Sequence, residues 1–324
     1  MDRRTACVAL AASPWFPPAW AQPRREARVA WVSLDRSAAD SPSFDAFKRG
    51  MRELGWVERR NLTVDAWWGE GSSSALRDAV PRILERKPDV VVAQGGPVAR
   101  VMVDADVKLP LVFTFSGDPV IGKLVASFAR PGGNRTGVTF FALELVPKRL
   151  QIMKEALPRL QRVATLSSPL HAGEQRELEA ASRAAKGLGL AHDYHPVTSA
   201  AELDAALEAI RRERADAILA YADALVMGFA ERIAAFATKH RIPAVSGWAI
   251  FAERGNLMTY GPVLVDSYYR LATFADRILK GANPGDIPVE FPTTVELVVN
   301  RKAAQAMGIA LPPALLARAS RTIA

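Results

Sequence analysis

The chain has 324 residues, 49% of them hydrophobic and 23% charged, with a formal net charge of +8. That length exceeds one ordinary core and predicts two domains of roughly 100 to 200 residues each, and no stretch approaches the roughly 20 uninterrupted apolar residues of a membrane span. The positive balance does not read as a nucleic-acid surface, because Lys and Arg alternate with Glu and Asp along helix patterns such as Glu174 to Arg183 and Glu202 to Arg214.

The N-terminus differs from the rest. Arg3 and Arg4 precede the apolar segment Ala6 to Ala12, and Ala19-Trp20-Ala21 fits the small-x-small pattern of a signal-peptidase site. Residues 1–21 are therefore expected to be a signal peptide, although Pro14 to Pro18 keep the apolar segment short. Cys7 is the only cysteine and falls inside it, so neither a disulfide nor thiol chemistry is expected of the mature chain.

Arg28 to Leu34 is an apolar run ending in a polar turn, and Phe44 to Leu54 has amphipathic helix spacing. Asn61 to Trp68 alternates as a strand, with Leu62, Val64 and Ala66 on one face. A helix over 74–86, a buried strand over 88–93 and a further helix lead to Leu111 to Phe115. That strand ends in Ser116-Gly117-Asp118-Pro119, and Val120, Leu124, Val125 and Phe128 predict a helix stopped by Arg130-Pro131-Gly132-Gly133-Asn134. Thr136 to Phe141 reads as the next strand. The rhythm then repeats, with helices over 147–156, 173–187, 200–213 and 224–239 and strands over 162–166, 190–197, 217–220, 242–245 and 256–260. A long helix over 267–279, a proline-rich linker over 284–292, a strand over 295–299 and a helix over 301–307 complete the pattern. Repeated β-α units predict the α/β class with open parallel sheets.

Little in the sequence points to catalysis. No Gly-x-Ser-x-Gly elbow occurs. No Gly-x-Gly-x-x-Gly and no phosphate-loop lysine follows any predicted strand, so no nucleotide cofactor is expected. His192 and His195, three apart in a predicted strand, point to opposite faces and do not suggest a metal site. Asp35, Asp118 and Asp223 each follow a strand, where a carboxylate either caps the next helix or serves chemistry. A different signal recurs. Ser33, Gln94, Ser116, Ser168, Asp223 and Ser246 sit at the carboxyl ends of predicted strands, where open α/β sheets bind ligands. Two such rims facing each other form a cleft with hydrogen-bonding walls; the alternative is a set of ordinary turns. Tyr221, Trp248 and Tyr260 supply aromatic rings near those loops, as a cleft floor or as lobe core.

A family resemblance joins these pieces. Phe44-Asp45-Ala46-Phe47, Glu53-Leu54-Gly55-Trp56, Gly117-Asp118-Pro119-Val120, Ala129-Arg130-Pro131-Gly132-Gly133-Asn134, Lys148-Arg149-Leu150, Met258-Thr259-Tyr260-Gly261 and Ile278-Leu279-Lys280-Gly281-Ala282 stand in an order and spacing that resembles the substrate-binding proteins of bacterial ABC uptake systems, of the tryptophan/tyrosine-binding type. The resemblance covers about residues 28 to 323. It implies a type I periplasmic-binding architecture of two Rossmann-like lobes with parallel sheets and a ligand cleft between them. Lobe 1 would take residues 28–140 and 262–290, and lobe 2 residues 141–261 and 291–324, with crossings near Thr139, Gly261 and Phe291.

The resemblance further implies an exported, periplasmic, non-enzymatic monomer. It would trap a small molecule, an amino acid or aromatic compound among the candidates, by hinge closure and deliver it to an ABC permease in the inner membrane. An enzyme on the same scaffold using Asp118 or Asp223, and a ligand-sensing module, are the competing classes. Three departures bear on the ligand. Gly95-Gly96-Pro97 replaces a polar turn and predicts open space at Gly96, Ser168-Pro169 replaces an Asn-Pro turn, and Trp248 stands where a smaller residue is frequent.

Overall fold

The valine- and alanine-rich runs become strands covered on both faces, which is what parallel sheets require. In a computed structural model, which describes residues 26–141 and 143–324, the chain runs through β1 (Ala27–Ser33), α1 (Pro42–Glu53), β2 (Leu62–Trp68), α2 (Ser73–Glu85), β3 (Val90–Ala93), α3 (Gly96–Asp104), β4 (Leu111–Phe115) and β5 (Arg135–Thr139). These strands form a parallel sheet in the order β2-β1-β3-β4-β5. The expected signal peptide and Cys7 lie outside the described residues.

The chain then crosses into a second sheet. It contributes α4 (Leu145–Ala156), β6 (Arg162–Ser167), α5 (Glu174–Gly187), β7 (Ala191–Pro196), α6 (Ala200–Arg212), β8 (Ala217–Ala220), α7 (Ala224–Gly228), α8 (Ala230–His240), β9 (Ala244–Ser246), α9 (Ala249–Glu253) and β10 (Met258–Pro262). After β10 comes α10 (Leu264–Leu279), followed by β11 (Val295–Asn300), α11 (Arg301–Met307), α12 (Pro313–Arg318) and β12 (Arg321–Ile323). The second sheet has the order β12-β11-β10-β9-β8-β6-β7. Its one antiparallel pair among the described strands is β10 with β11, because the chain returns there from the first lobe.

α10 is the element that ties the two halves of the chain together. It follows a strand of the second sheet, yet its Tyr268, Leu271, Phe274 and Ala275 are buried in the first lobe with Trp31, Phe44 and Phe47. α1 presents Phe44, Phe47 and Met51 on one face, and the Ser41 hydroxyl caps it by accepting from the Phe44 amide. Trp31 lies 5.2 Å from the Phe47 ring and 5.3 Å from the Phe44 ring.

Several expectations change in the structure. No helix forms over 119–130: Lys123 takes φ 56°, and Pro119 and Pro131 bracket the segment. Its Leu124 and Val125 still pack on the core, so the apolar spacing reports burial rather than a helix. The helix expected over 224–239 is two helices broken at Phe229, next to Gly228, where helix propensity is low. The stretch over 284–292 is no free linker. Glu290 forms a parallel bridge with Val138, its amide donating to the Gly137 carbonyl at 3.0 Å and its carbonyl accepting from the Thr139 amide at 2.9 Å. α9, α12 and β12 were too short for their periodicity to stand out.

Candidate functional site

The carboxyl ends of the two sheets face one another, and the lobes touch. The Asp118 amide donates to the Ala172 carbonyl at 2.8 Å. A Cβ on Gly117 would lie 2.4 Å from that same carbonyl oxygen, so only glycine allows this approach. Asp118 is 2% exposed. Its Oδ1 accepts from the Val120 and Ile121 amides at 2.8 and 3.1 Å, and its Oδ2 pairs with Arg176 Nη1 of α5 at 2.8 Å. The Arg176 guanidinium also lies 5.7 Å from the Phe141 ring. Oδ1 therefore caps its own loop, as one of the two readings of this carboxylate expected, while Oδ2 has its partner across the lobe boundary.

Beside this contact is a cavity of about 340 Å³ between the lobes. Gly96, Ser116 and Phe115 line it from the first lobe, and Ser168, His171 and Asp223 from the second. Thus Gly96, Ser116, Ser168 and Asp223 of the sequence-derived candidates come together. Gly96 does not offer the open space expected: a Cβ there would meet the Phe115 ring at 2.9 Å, so that ring occupies the room a side chain would need. Ser168 Oγ accepts from the Leu170 amide at 3.3 Å and holds the turn that carries His171.

The other candidates lie outside that cavity, on the strand ends of their own lobes. Ser33 is buried, and its Oγ accepts from the Asp35 amide at 2.8 Å. Gln94 Oε1 is buried without a hydrogen-bond partner, close to the Tyr268 hydroxyl. Burial pushes that Tyr268 phenol up to about 12. Tyr221 is buried with no partner for its hydroxyl, and Ser246 is buried with none for its Oγ. Trp248 is half-buried and packs edge-on against Phe140 at 5.9 Å, so its ring reaches across to the first lobe rather than closing its own core alone. Tyr260 packs against the second lobe's core, and its carbonyl accepts from Arg149 Nε at 2.8 Å.

Asp223 caps α7. Its Oδ1 accepts from the Leu225 and Val226 amides at 2.8 and 3.0 Å, while Oδ2 is buried without a partner. Burial raises its pKa above the ordinary carboxylate value, and the cap bonds and His171 only partly offset this. The cap is made by Oδ1 alone, and Oδ2 is left over beside the cavity that Asp223 lines.

Two residues of the second lobe, His171 in this wall and Arg149 earlier in the chain on α4, were not expected from the sequence. His171 Nε2 lies 3.1 Å from Glu177 Oε2. Burial works against its charge, but the Glu177 carboxylate in contact with it, with Asp223 and Glu174 nearby, outweighs this and raises the imidazole pKa. Arg149 is buried in α4, and burial lowers its pKa against the pull of Glu177 and Tyr221. Its signal was present in the sequence: it stands three residues after Val146 and four before Met153, on the stripe that otherwise carries apolar side chains.

Residues 34–323 match the family described as ABC transporter substrate binding protein. The chain belongs to that family. It is a ligand-trapping binding protein, and the two facing lobes are its trap. It is 21% identical over 272 residues to the tyrosine-binding protein of Clostridioides difficile (strain R20291), covering 83% of this chain and 78% of that one. Among solved structures it resembles a conserved domain protein from Vibrio cholerae, with 27% identity and a TM-score of 0.82, covering 92% of this chain and all of that one. It resembles equally, at 23% identity and a TM-score of 0.82, the ABC domain from Streptococcus pneumonia in complex with L-Trp, again over 92% of this chain. The family is one of binding proteins.

Proposed function

We propose that this substrate-binding protein captures an amino acid with a large apolar side chain and delivers it to an ABC permease in the inner membrane. The observation that carries the reading is the buried Asp223 Oδ2, which has no protein partner and belongs to a residue lining the cavity between the lobes. A buried carboxylate oxygen without a donor is costly, and a ligand ammonium group supplies one. Trp248, reaching from one lobe to the Phe140 ring of the other, gives the apolar part of such a ligand an aromatic neighbour. The tyrosine-binding and L-Trp-bound relatives support the same class.

The protein acts as a periplasmic monomer, with its signal peptide removed after Ala21. Lobe 1 takes residues 28–140 and 262–290, and lobe 2 residues 141–261 and 291–324. No helix among the described residues is long and apolar enough to cross a membrane. Native mass spectrometry of the purified protein tests the ligand class: an amino-acid mass increment is expected, and a sugar increment overturns it. N-terminal sequencing from the native host should begin at Gln22; an intact Met1 in a cytoplasmic fraction overturns the export reading.

A further inference from the structure

Among the described residues, Arg149 is the buried member of all the arginines and lysines, at 5% exposure. Buried cations are ordinarily paired, because the ion loses its water and needs an anion in return. Arg149 has no ion pair with any described carboxylate. Its only hydrogen bond among the described residues runs from Nε to the Tyr260 carbonyl. The two terminal nitrogens of the guanidinium, the pair that makes the planar fork, donate to no described protein atom.

Its position is as informative as its lack of partners. Nη2 lies against the loop that follows β9: a Cβ on Gly247 would stand 2.6 Å from it and 2.9 Å from the Ala222 Cβ. Gly247 and Ala222 belong to the turns at the carboxyl ends of β9 and β8, the edge that faces the other lobe. Gly247 therefore packs directly against the guanidinium, and no side chain larger than its hydrogen fits at that position. Tyr221 and Ser246, the immediate neighbours of Ala222 and Gly247, carry the buried hydroxyls without partners. A cation with a free fork, two free hydroxyls and small residues around them form one receptor for a planar anion.

We infer that Arg149 receives a carboxylate of the ligand by its Nη fork, assisted by the Tyr221 and Ser246 hydroxyls. This rests on the reading of the interlobe cleft as the ligand site, and it adds the group at the other end of the ligand from Asp223. The receptor sits on α4, whose first turn follows the first crossing between the lobes, so a ligand held there is anchored beside the hinge.

The test compares ligands that differ only in the carboxylate: L-tryptophan with tryptamine and L-tyrosine with tyramine, titrated calorimetrically into the full mature chain. The wild type should favour the carboxylate member by about 30-fold or more. Arg149→Gln should reduce that preference to within a few-fold while leaving the amine's affinity unchanged, and Arg149→Lys, which keeps the charge without the fork, should restore part of it. A general structural role would weaken both members alike. If the carboxylate members bind and Arg149→Gln keeps their preference, the assignment of Arg149 is overturned while the cleft reading stands. If none of the four binds, a thermal-shift panel of neutral sugars and small carboxylates decides. Stabilisation of the wild type by a carboxylate, lost in Arg149→Gln, upholds the receptor, whereas stabilisation by neutral solutes only overturns receptor and amino-acid class together.

Discussion

Asp118→Asn separates two roles for the residue that joins the lobes. Asparagine keeps a carbonyl oxygen where Oδ1 now accepts from the Val120 and Ile121 amides, so the local turn survives. What is lost is the charge that meets Arg176 at 2.8 Å. Arg176 is 53% exposed, so water screens the pair and its worth is about 1 kcal/mol rather than that of a fully buried bond. Because Asp118 belongs to one lobe and Arg176 to the other, that loss falls on the closed form. Ligand affinity should drop about fivefold, by the same factor for every ligand tested. Calorimetry on Asp118→Asn, Arg176→Gln and the double variant should return a coupling of about 1 kcal/mol. A direct contact with a ligand ammonium predicts something else, a loss of roughly 2 to 5 kcal/mol confined to ligands carrying that group. Unchanged affinity in all three variants, or a loss seen only for ammonium ligands, would refute the cross-lobe role.

Gly117→Ala should fold normally but bind about tenfold more weakly or worse, since its Cβ meets the Ala172 oxygen only when the lobes close; small-angle scattering that shows full closure with ligand would contradict this. Asp223→Asn should raise the melting temperature of the ligand-free protein at neutral pH and abolish binding, because it removes a buried charge whose Oδ2 has no protein partner. His171 and Asp223 both have folded pKa values above their unfolded ones. The stability each lends is complete below its unfolded value, about 6.5 and 3.9, and fades as pH rises through the folded value. The melting temperature lost on His171→Gln should therefore be larger near about pH 6 than near about pH 9, and an equal loss at both would sink the His171–Glu177 pairing.

Strand positions were legible because Val90 to Ala93 and Ala217 to Ala220 are apolar runs bounded by turns, a pattern fixed locally. The rim of turns was legible for the same reason. What those turns do was not, since partnering across lobes involves residues far apart in sequence. Asp118 and Arg176 are 58 positions apart, and nothing local marks them as partners. Gly96 misled for a related reason: its missing hydroxyl read as open space, while Phe115, brought alongside by the neighbouring strand, fills it. Arg149 was readable as a charge on an apolar stripe, but its lack of an ion pair is a tertiary fact.

The placement of α10 has a consequence for how the chain comes into being. Tyr268, Leu271, Phe274 and Ala275 complete the core around Trp31 and Phe47, more than two hundred residues earlier in synthesis. Until that helix emerges, the first lobe presents an unfilled apolar face, with the rings of Trp31, Phe44 and Phe47 on it. The second lobe waits longer still, for β11 and β12 at the very end. Neither half can settle while the ribosome is at work, because loop closure over such separations comes late. A chain cut short between β10 and Leu279 would carry two unfinished cores rather than one finished lobe.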